Sequence, residues 1–168
     1  METLLNQTAL ALRVTMKKPT KKPRYTKPDS VKVLEDLENK NMRSKAQNFP
    51  YPVKAHYEDK TANGLTKCVI AWIRLHGGQA ERINTMGRPV ETSDGVRWLR
   101  STSTIGSADI SATISGRSVK IEIKIGTDRQ SEAQKKYQQD IENAGGIYLI
   151  IKCFDDFYMW WHEKGCRL

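Results

Sequence analysis

The chain has 168 residues, enough for one domain with or without a tail, and its 28 Lys and Arg exceed its 19 Asp and Glu, a formal charge of +9. At 38% hydrophobic it can build a core but not a membrane span: the longest apolar run, Gly146 to Ile151, is the length of one strand. Cys68, Cys153 and Cys166 form no CxxC pair, which argues against a disulfide framework or zinc knuckle and fits a reducing, cytoplasmic setting.

The charge is concentrated at the start. Residues 1–54 carry 12 Lys/Arg against 5 Asp/Glu, whereas residues 55–168 carry 16 against 14. Seven cations and no acid lie between Arg13 and Lys27, and Pro19, Pro23 and Pro28 interrupt any helix. This composition predicts a flexible basic arm over residues 1–30. Lys17, Lys18, Lys21, Lys22, Arg24 and Lys27 would meet the phosphates of a nucleic acid, each contact releasing counterions. An anionic membrane surface or a solubility tail would suit the same charge, and the acid-free stretch 3–28 also has the composition of an organellar presequence. Nucleic acid is preferred, and a membrane partner is not expected, because of the residues downstream.

Beyond the arm, Val31, Val33, Leu34 and Leu37 predict a short amphipathic helix, followed by an irregular connector to residue 60. Leu65, Cys68, Val69, Trp72 and Ile73 predict a stronger helix over residues 61–76, stopped by Gly77-Gly78. A strand is expected over 80–84, then a ribbon bounded by Gly87-Arg88-Pro89 and Ser93-Asp94-Gly95. Ile110, Ala112 and Ile114 alternate, as do Val119, Ile121, Ile123 and Ile125, and the Ser115-Gly116 link makes them a hairpin. Ser131 caps a helix reaching Ala144, Gly145-Gly146 ends it, and Ile147 to Lys152 form a buried strand. A short turn with Phe157, Trp160 and Trp161 closes the chain. The order specifies a mixed α/β sheet flanked by helices, with one domain spanning 61–168.

Three side chains on this hairpin carry chemistry. Glu122 and Lys124 are two apart on a strand and share a face. By itself that pattern reads more readily as a solvated strand face with a surface ion pair. Asp109 changes the reading. Asp109 and Glu122 lie six positions on either side of the Ser115-Gly116 turn, so the register places the two carboxylates side by side. They would repel unless a divalent cation lay between them, and hard oxygen ligands suit Mg²⁺ or Mn²⁺. Lys124 could orient or deprotonate an attacking water and offset phosphate charge.

Gly106-Ser107-Ala108-Asp109, then twelve residues, then Glu122-Ile123-Lys124, resembles the split motif of the PD-(D/E)XK nuclease superfamily. Gly116-Arg117 in the turn and Ser131-Glu132-Ala133-Gln134 opening the next helix look most like its VRR-NUC branch. The resemblance covers about residues 61–157. It implies a restriction-endonuclease-like αβββαβ core and metal-dependent phosphodiester hydrolysis. It further implies Asp109, Glu122 and the Ile123 carbonyl as metal ligands, Lys124 as the catalytic lysine and Gln134 as a supporting residue. Two departures stand out. Ala108 replaces the proline before the aspartate, and the helix opening Thr61-Ala62-Asn63-Gly64 lacks the acid often found there, so that either a metal is held with fewer carboxylates or Glu58 takes the role. Gln134 and Tyr137 are one residue short of the QxxxY spacing of exonuclease-like relatives.

Arg129, Lys135 and Lys136 face either a phosphate backbone or water. The histidines form no metal motif, and the glycine pairs are helix stops rather than phosphate loops, so no organic cofactor is expected. The leading expectation is a Mg²⁺-dependent DNA endonuclease. The alternatives are a structure-selective nuclease on branched or flapped DNA and a non-catalytic DNA-binding module. The oligomeric state, a dimer included, stays open.

Overall fold

The computed structural model describes residues 24–46, 53–84, 87–99 and 103–165. Lys17, Lys18, Lys21, Lys22 and Cys166 lie outside the described residues. Helix α1 spans Asp29–Lys45, eight residues longer than the expected helix of residues 31–39, and starts after Pro28, which holds extended backbone at φ −61° and ψ 156°. Its charges suit the helix dipole, with Asp29 in the first turn and Arg43 and Lys45 in the last. Helix α2, Ala62–Leu75, is capped by Thr61, whose hydroxyl accepts from Gly64 N at 3.0 Å.

Strands β1 (Gln79–Arg82), β4 (Ile110–Ile114), β5 (Arg117–Ile123) and β6 (Ile147–Ile151) form one sheet in the order β1-β4-β5-β6. Strands β2 (Arg88–Thr92) and β3 (Gly95–Leu99) form a separate two-stranded ribbon. The β1–β4 and β4–β5 pairs are antiparallel, and β5–β6 is parallel. A parallel neighbour needs a crossover, here helix α3, Glu132–Asn143. Helix α4, Phe154–Glu163, replaces the short terminal turn expected from the sequence. No helix among the described residues is long and apolar enough to cross a membrane.

The period of two divides the sheet cleanly. Ile110, Ala112 and Ile114 of β4 and Val119, Ile121 and Ile123 of β5 enter one core with Leu65, Val69, Trp72 and Ile73 of α2. Trp161 is buried there. The core also extends upstream of residue 61. Val31 and Leu34 of α1 are 0% exposed, worth about 1.5–3 kcal/mol each, so α1 packs into the same core as α2 and the sheet.

Even the end of the expected arm is tied down. Tyr25 OH donates to Asp59 Oδ1 at 2.7 Å, and Asp59 Oδ2 accepts from Phe154 N at 3.0 Å. One buried side chain thus joins the N-terminal segment to the start of α4. Burial, reinforced by the Asp59 hydrogen bond, pushes the Tyr25 phenol up to about 12. Lys27 pairs with Glu35 at 2.5 Å. Cys68 and Cys153 are free, and burial pushes the Cys68 thiol up to about 12, as suits an inert core residue.

Asp59→Ala orphans the buried Phe154 amide as well as the Tyr25 hydroxyl. It should cost about 2–3 kcal/mol in urea denaturation, against about 1 kcal/mol for Tyr25→Phe. Equal losses would show that Asp59 acts only through the tyrosine.

Candidate active site

The β4–β5 ladder runs from Ile110↔Ile121 to Ile114↔Arg117. Ser115 and Gly116 close it with φ values of 49° and 81°, the two positive values a type I′ hairpin turn requires. The ladder thereby fixes what lies one step past its open end, Asp109 opposite Glu122, the juxtaposition expected from the sequence. Asp109 Oδ2 accepts the Ile123 N–H at 2.9 Å. In an antiparallel strand a residue's N–H and C=O leave from the same edge, so the Ile123 carbonyl also leaves β5 on the Asp109 side.

Glu122 and Lys124 are 2% and 6% exposed. They are not the surface ion pair that the ExK pattern alone would allow. The polar face of β5 is covered by α3, and Lys124 Nζ lies 2.9 Å from Glu122 Oε1 beneath it. Gln134 completes the arrangement. Ser131 and Gln134 form a capping box at the start of α3, with Gln134 Oε1 accepting from Ser131 N at 2.9 Å. The same oxygen accepts from Lys124 Nζ at 3.1 Å, while Gln134 Nε2 donates to Glu122 Oε1. The cap that starts the helix therefore also holds both charged side chains.

The electrostatics follow from burial. Desolvation pushes Glu122 above the usual carboxylate range; the Lys124 hydrogen bond opposes the rise and the Asp109 charge adds to it. Desolvation pulls Lys124 down, but the Glu122 hydrogen bond and charge, with Asp128 3.4 Å away, outweigh it and hold the amine above its usual range. At neutral pH Lys124 is thus a fixed buried cation.

Two residues of this cluster are not legible from the motif. Tyr148 OH donates to Glu122 Oε2 at 3.4 Å, and Tyr148 is buried. A signal existed: parallel register pairs Lys120 with Tyr148 and Glu122 with Ile150, so the tyrosine shares the polar face of β5. Asp128 follows Gly126 and Thr127 and carries no comparable signal.

Other expected residues fall elsewhere. Glu58 pairs with Lys60 at 2.8 Å and accepts from Thr61 Oγ1 at 3.4 Å. Lys27, expected as a phosphate contact, is neutralised by Glu35 with its side chain 23% exposed. Lys135 is exposed but pairs with Glu132 at 2.7 Å. Arg24, Arg129 and Lys136 are exposed.

Among the described residues no three of His, Cys, Asp and Glu gather as a metal cluster. A cation at this site would rest on Asp109, Glu122, the Ile123 carbonyl and water. That set fits a hard ion such as Mg²⁺ or Mn²⁺, which binds through one or two carboxylates and keeps several waters. Each acid has an oxygen to offer. Among the described residues Asp109 Oδ1 accepts no hydrogen bond, and Glu122 Oε2 takes the long Tyr148 contact. No protein-family model matches the chain, and no curated protein matches it.

Lys124→Met leaves Glu122 buried without its cation and should destabilise the metal-free protein by about 3 kcal/mol at pH 8. Glu122 then titrates still higher in the folded state than in the unfolded chain. The penalty is therefore full above the variant's folded value, fades as pH falls from there toward the ordinary 4.5, and is gone below it, where Glu122 is protonated in both states. Urea denaturation of both proteins between pH 4 and 8 checks this; a pH-independent difference would mean that the pair is not electrostatically coupled.

Proposed function

We propose that the protein is a divalent-metal-dependent DNA endonuclease of the PD-(D/E)XK type. One observation carries the reading: the buried Glu122 carboxylate is held at once by Lys124 and Gln134, at the strand end that Asp109 also grips. Buried charges cost stability unless something repays them, and a structural role would be served as well by apolar residues. The element order supports the reading. Without the β2–β3 ribbon it is α2-β1-β4-β5-α3-β6, the αβββαβ sequence that the resemblance implies.

Asp109, Glu122 and the Ile123 carbonyl would hold Mg²⁺ or Mn²⁺. When bound, the cation supplies Lewis-acid polarisation of a phosphoryl oxygen and a water of lowered pKa. Lys124, a cation while paired with Glu122, serves by donating hydrogen bonds to the nucleophile's oxygen and by offsetting phosphate charge. It does not accept a proton in that state. Gln134 fixes the rotamers of both partners, so the charges are in place before substrate arrives. Exposed Arg24, Arg129 and Lys136, with Lys17, Lys18, Lys21 and Lys22 of the arm, would neutralise backbone phosphates.

The test is incubation with supercoiled, linear, single-stranded and branched DNA in Mg²⁺, Mn²⁺ or chelator. Wild type should cut supercoiled DNA with either cation and not with chelator. Asp109→Ala, Glu122→Gln and Lys124→Met should each lose about a hundredfold or more, and Gln134→Ala less. Cleavage confined to branched DNA would move the assignment to a structure-selective nuclease. Binding without any cleavage would move it to a DNA-binding module, and variants that cut as fast as wild type would end the nuclease reading.

A further inference from the structure

The site contains a contact that neither motif nor charge explains, between the turn preceding Asp109 and the first turn of α3. Ser107 N donates to Thr104 O at 3.1 Å, and Ser107 Oγ bonds the same oxygen, closing a turn over Thr104–Ser107. Gly106 occupies its third position with φ +82°, where a type II turn requires a positive value. Its Cα faces the α3 backbone. A Cβ there would lie 2.5 Å from the Ala133 carbonyl carbon and 2.9 Å from the Gln134 amide nitrogen, and nearer still to the Ala133 carbonyl oxygen. These are backbone atoms, so no side-chain rotation relieves the clash. The turn has little room to retreat, because Ser107 and Ala108 are 8% and 0% exposed.

We propose that Gly106 is a positioning residue that sets Gln134 against the Glu122–Lys124 pair. The contacts form a closed ring: Gly106 seats on Ala133–Gln134, Gln134 bonds Glu122, and Ile123 bonds Asp109, three residues on from Gly106. The missing side chain therefore fixes the distance between the loop that carries Asp109 and the helix that carries Gln134. A methyl group at residue 106 wedges the two apart and withdraws the glutamine amide from Glu122. The structural claim stands on these contacts alone; its kinetic consequence rests on the nuclease reading.

Gly116 provides the control. It has nearly the same conformation, φ +81°, but a Cβ there meets nothing within 4 Å. Alanine imposes similar left-handed strain at both positions, and only at 106 does it strike α3. The readout is the Gln134 side-chain amide, followed by NMR in the metal-free protein. In wild type and Gly116→Ala its resonance should be displaced by the Glu122 hydrogen bond and its protons should exchange slowly; in Gly106→Ala both features should be lost. Cleavage should fall by about 100-fold in Gly106→Ala relative to Gly116→Ala. If Gly106→Ala does not fold, Ser107→Ala, which removes the side-chain half of the turn's closure without adding atoms, decides, with faster exchange of the Gln134 amide and a roughly fivefold fall in cleavage. An unchanged Gln134 amide in the folded 106 variant, or equal loss in both glycine variants, overturns the assignment. If the amide responds as described but wild type cuts no DNA, the positioning role stands and the nuclease reading fails.

Discussion

A carboxylate buried in a sheet must be compensated, and the organisation of this domain around Glu122 follows from that requirement. The acid is 2% exposed and lies opposite a second carboxylate. Lys124 compensates its charge, Gln134 supplies a directed donor, and Tyr148 a weaker one. None of the three is sufficient alone. The lysine supplies charge without fixing its position; the amide fixes position without charge. Together they hold a doubly restrained charge pair, a costly arrangement that a purely structural face would not need.

The scaffold supplies the geometry through ordinary secondary-structure chemistry. A two-residue turn at Ser115-Gly116 sets the register that places Asp109 opposite Glu122. A capping box at Ser131 starts α3 and in the same bonds turns Gln134 toward the pair. The parallel β5–β6 ladder brings Tyr148 onto the polar face. On the opposite face the isoleucines of β4 and β5 pack against α2, so the strand that carries the site is anchored by the core. Asp59 ties the N-terminal segment to α4 and keeps α1 in that core.

Much of this was legible in the sequence because it depends on local periodicity and spacing. The β4 and β5 alternation, the turn between them and the Ser131 cap are each encoded within a few residues, and together they determine the Asp109–Glu122 juxtaposition. What was not legible depends on tertiary contact. Alternation separates a strand's two faces but does not say whether the polar one meets water or a helix, so the burial of Glu122 and Lys124 could not be read. Lys27 looked like part of a free arm because Glu35, its partner, lies eight residues on in what read as an independent helix. The pairing of Glu58 with Lys60 was not legible because it is a matter of rotamers rather than of pattern. Gly106 carried a sequence signal as a glycine before the aspartate, but its reason, the approach of the α3 backbone, exists only in three dimensions.

The proposed function requires that Asp109 and Glu122 hold a divalent cation, with Lys124 as a neighbouring cation rather than a ligand. Calorimetric titration of Mn²⁺ into wild type, Asp109→Ala and Lys124→Met tests it most directly. Wild type should bind, Asp109→Ala should bind about tenfold or more weakly, and Lys124→Met should bind at least as tightly as wild type because a competing positive charge is gone. Equal affinities for wild type and Asp109→Ala, or metal binding lost on removal of Lys124 from a folded protein, would contradict the account.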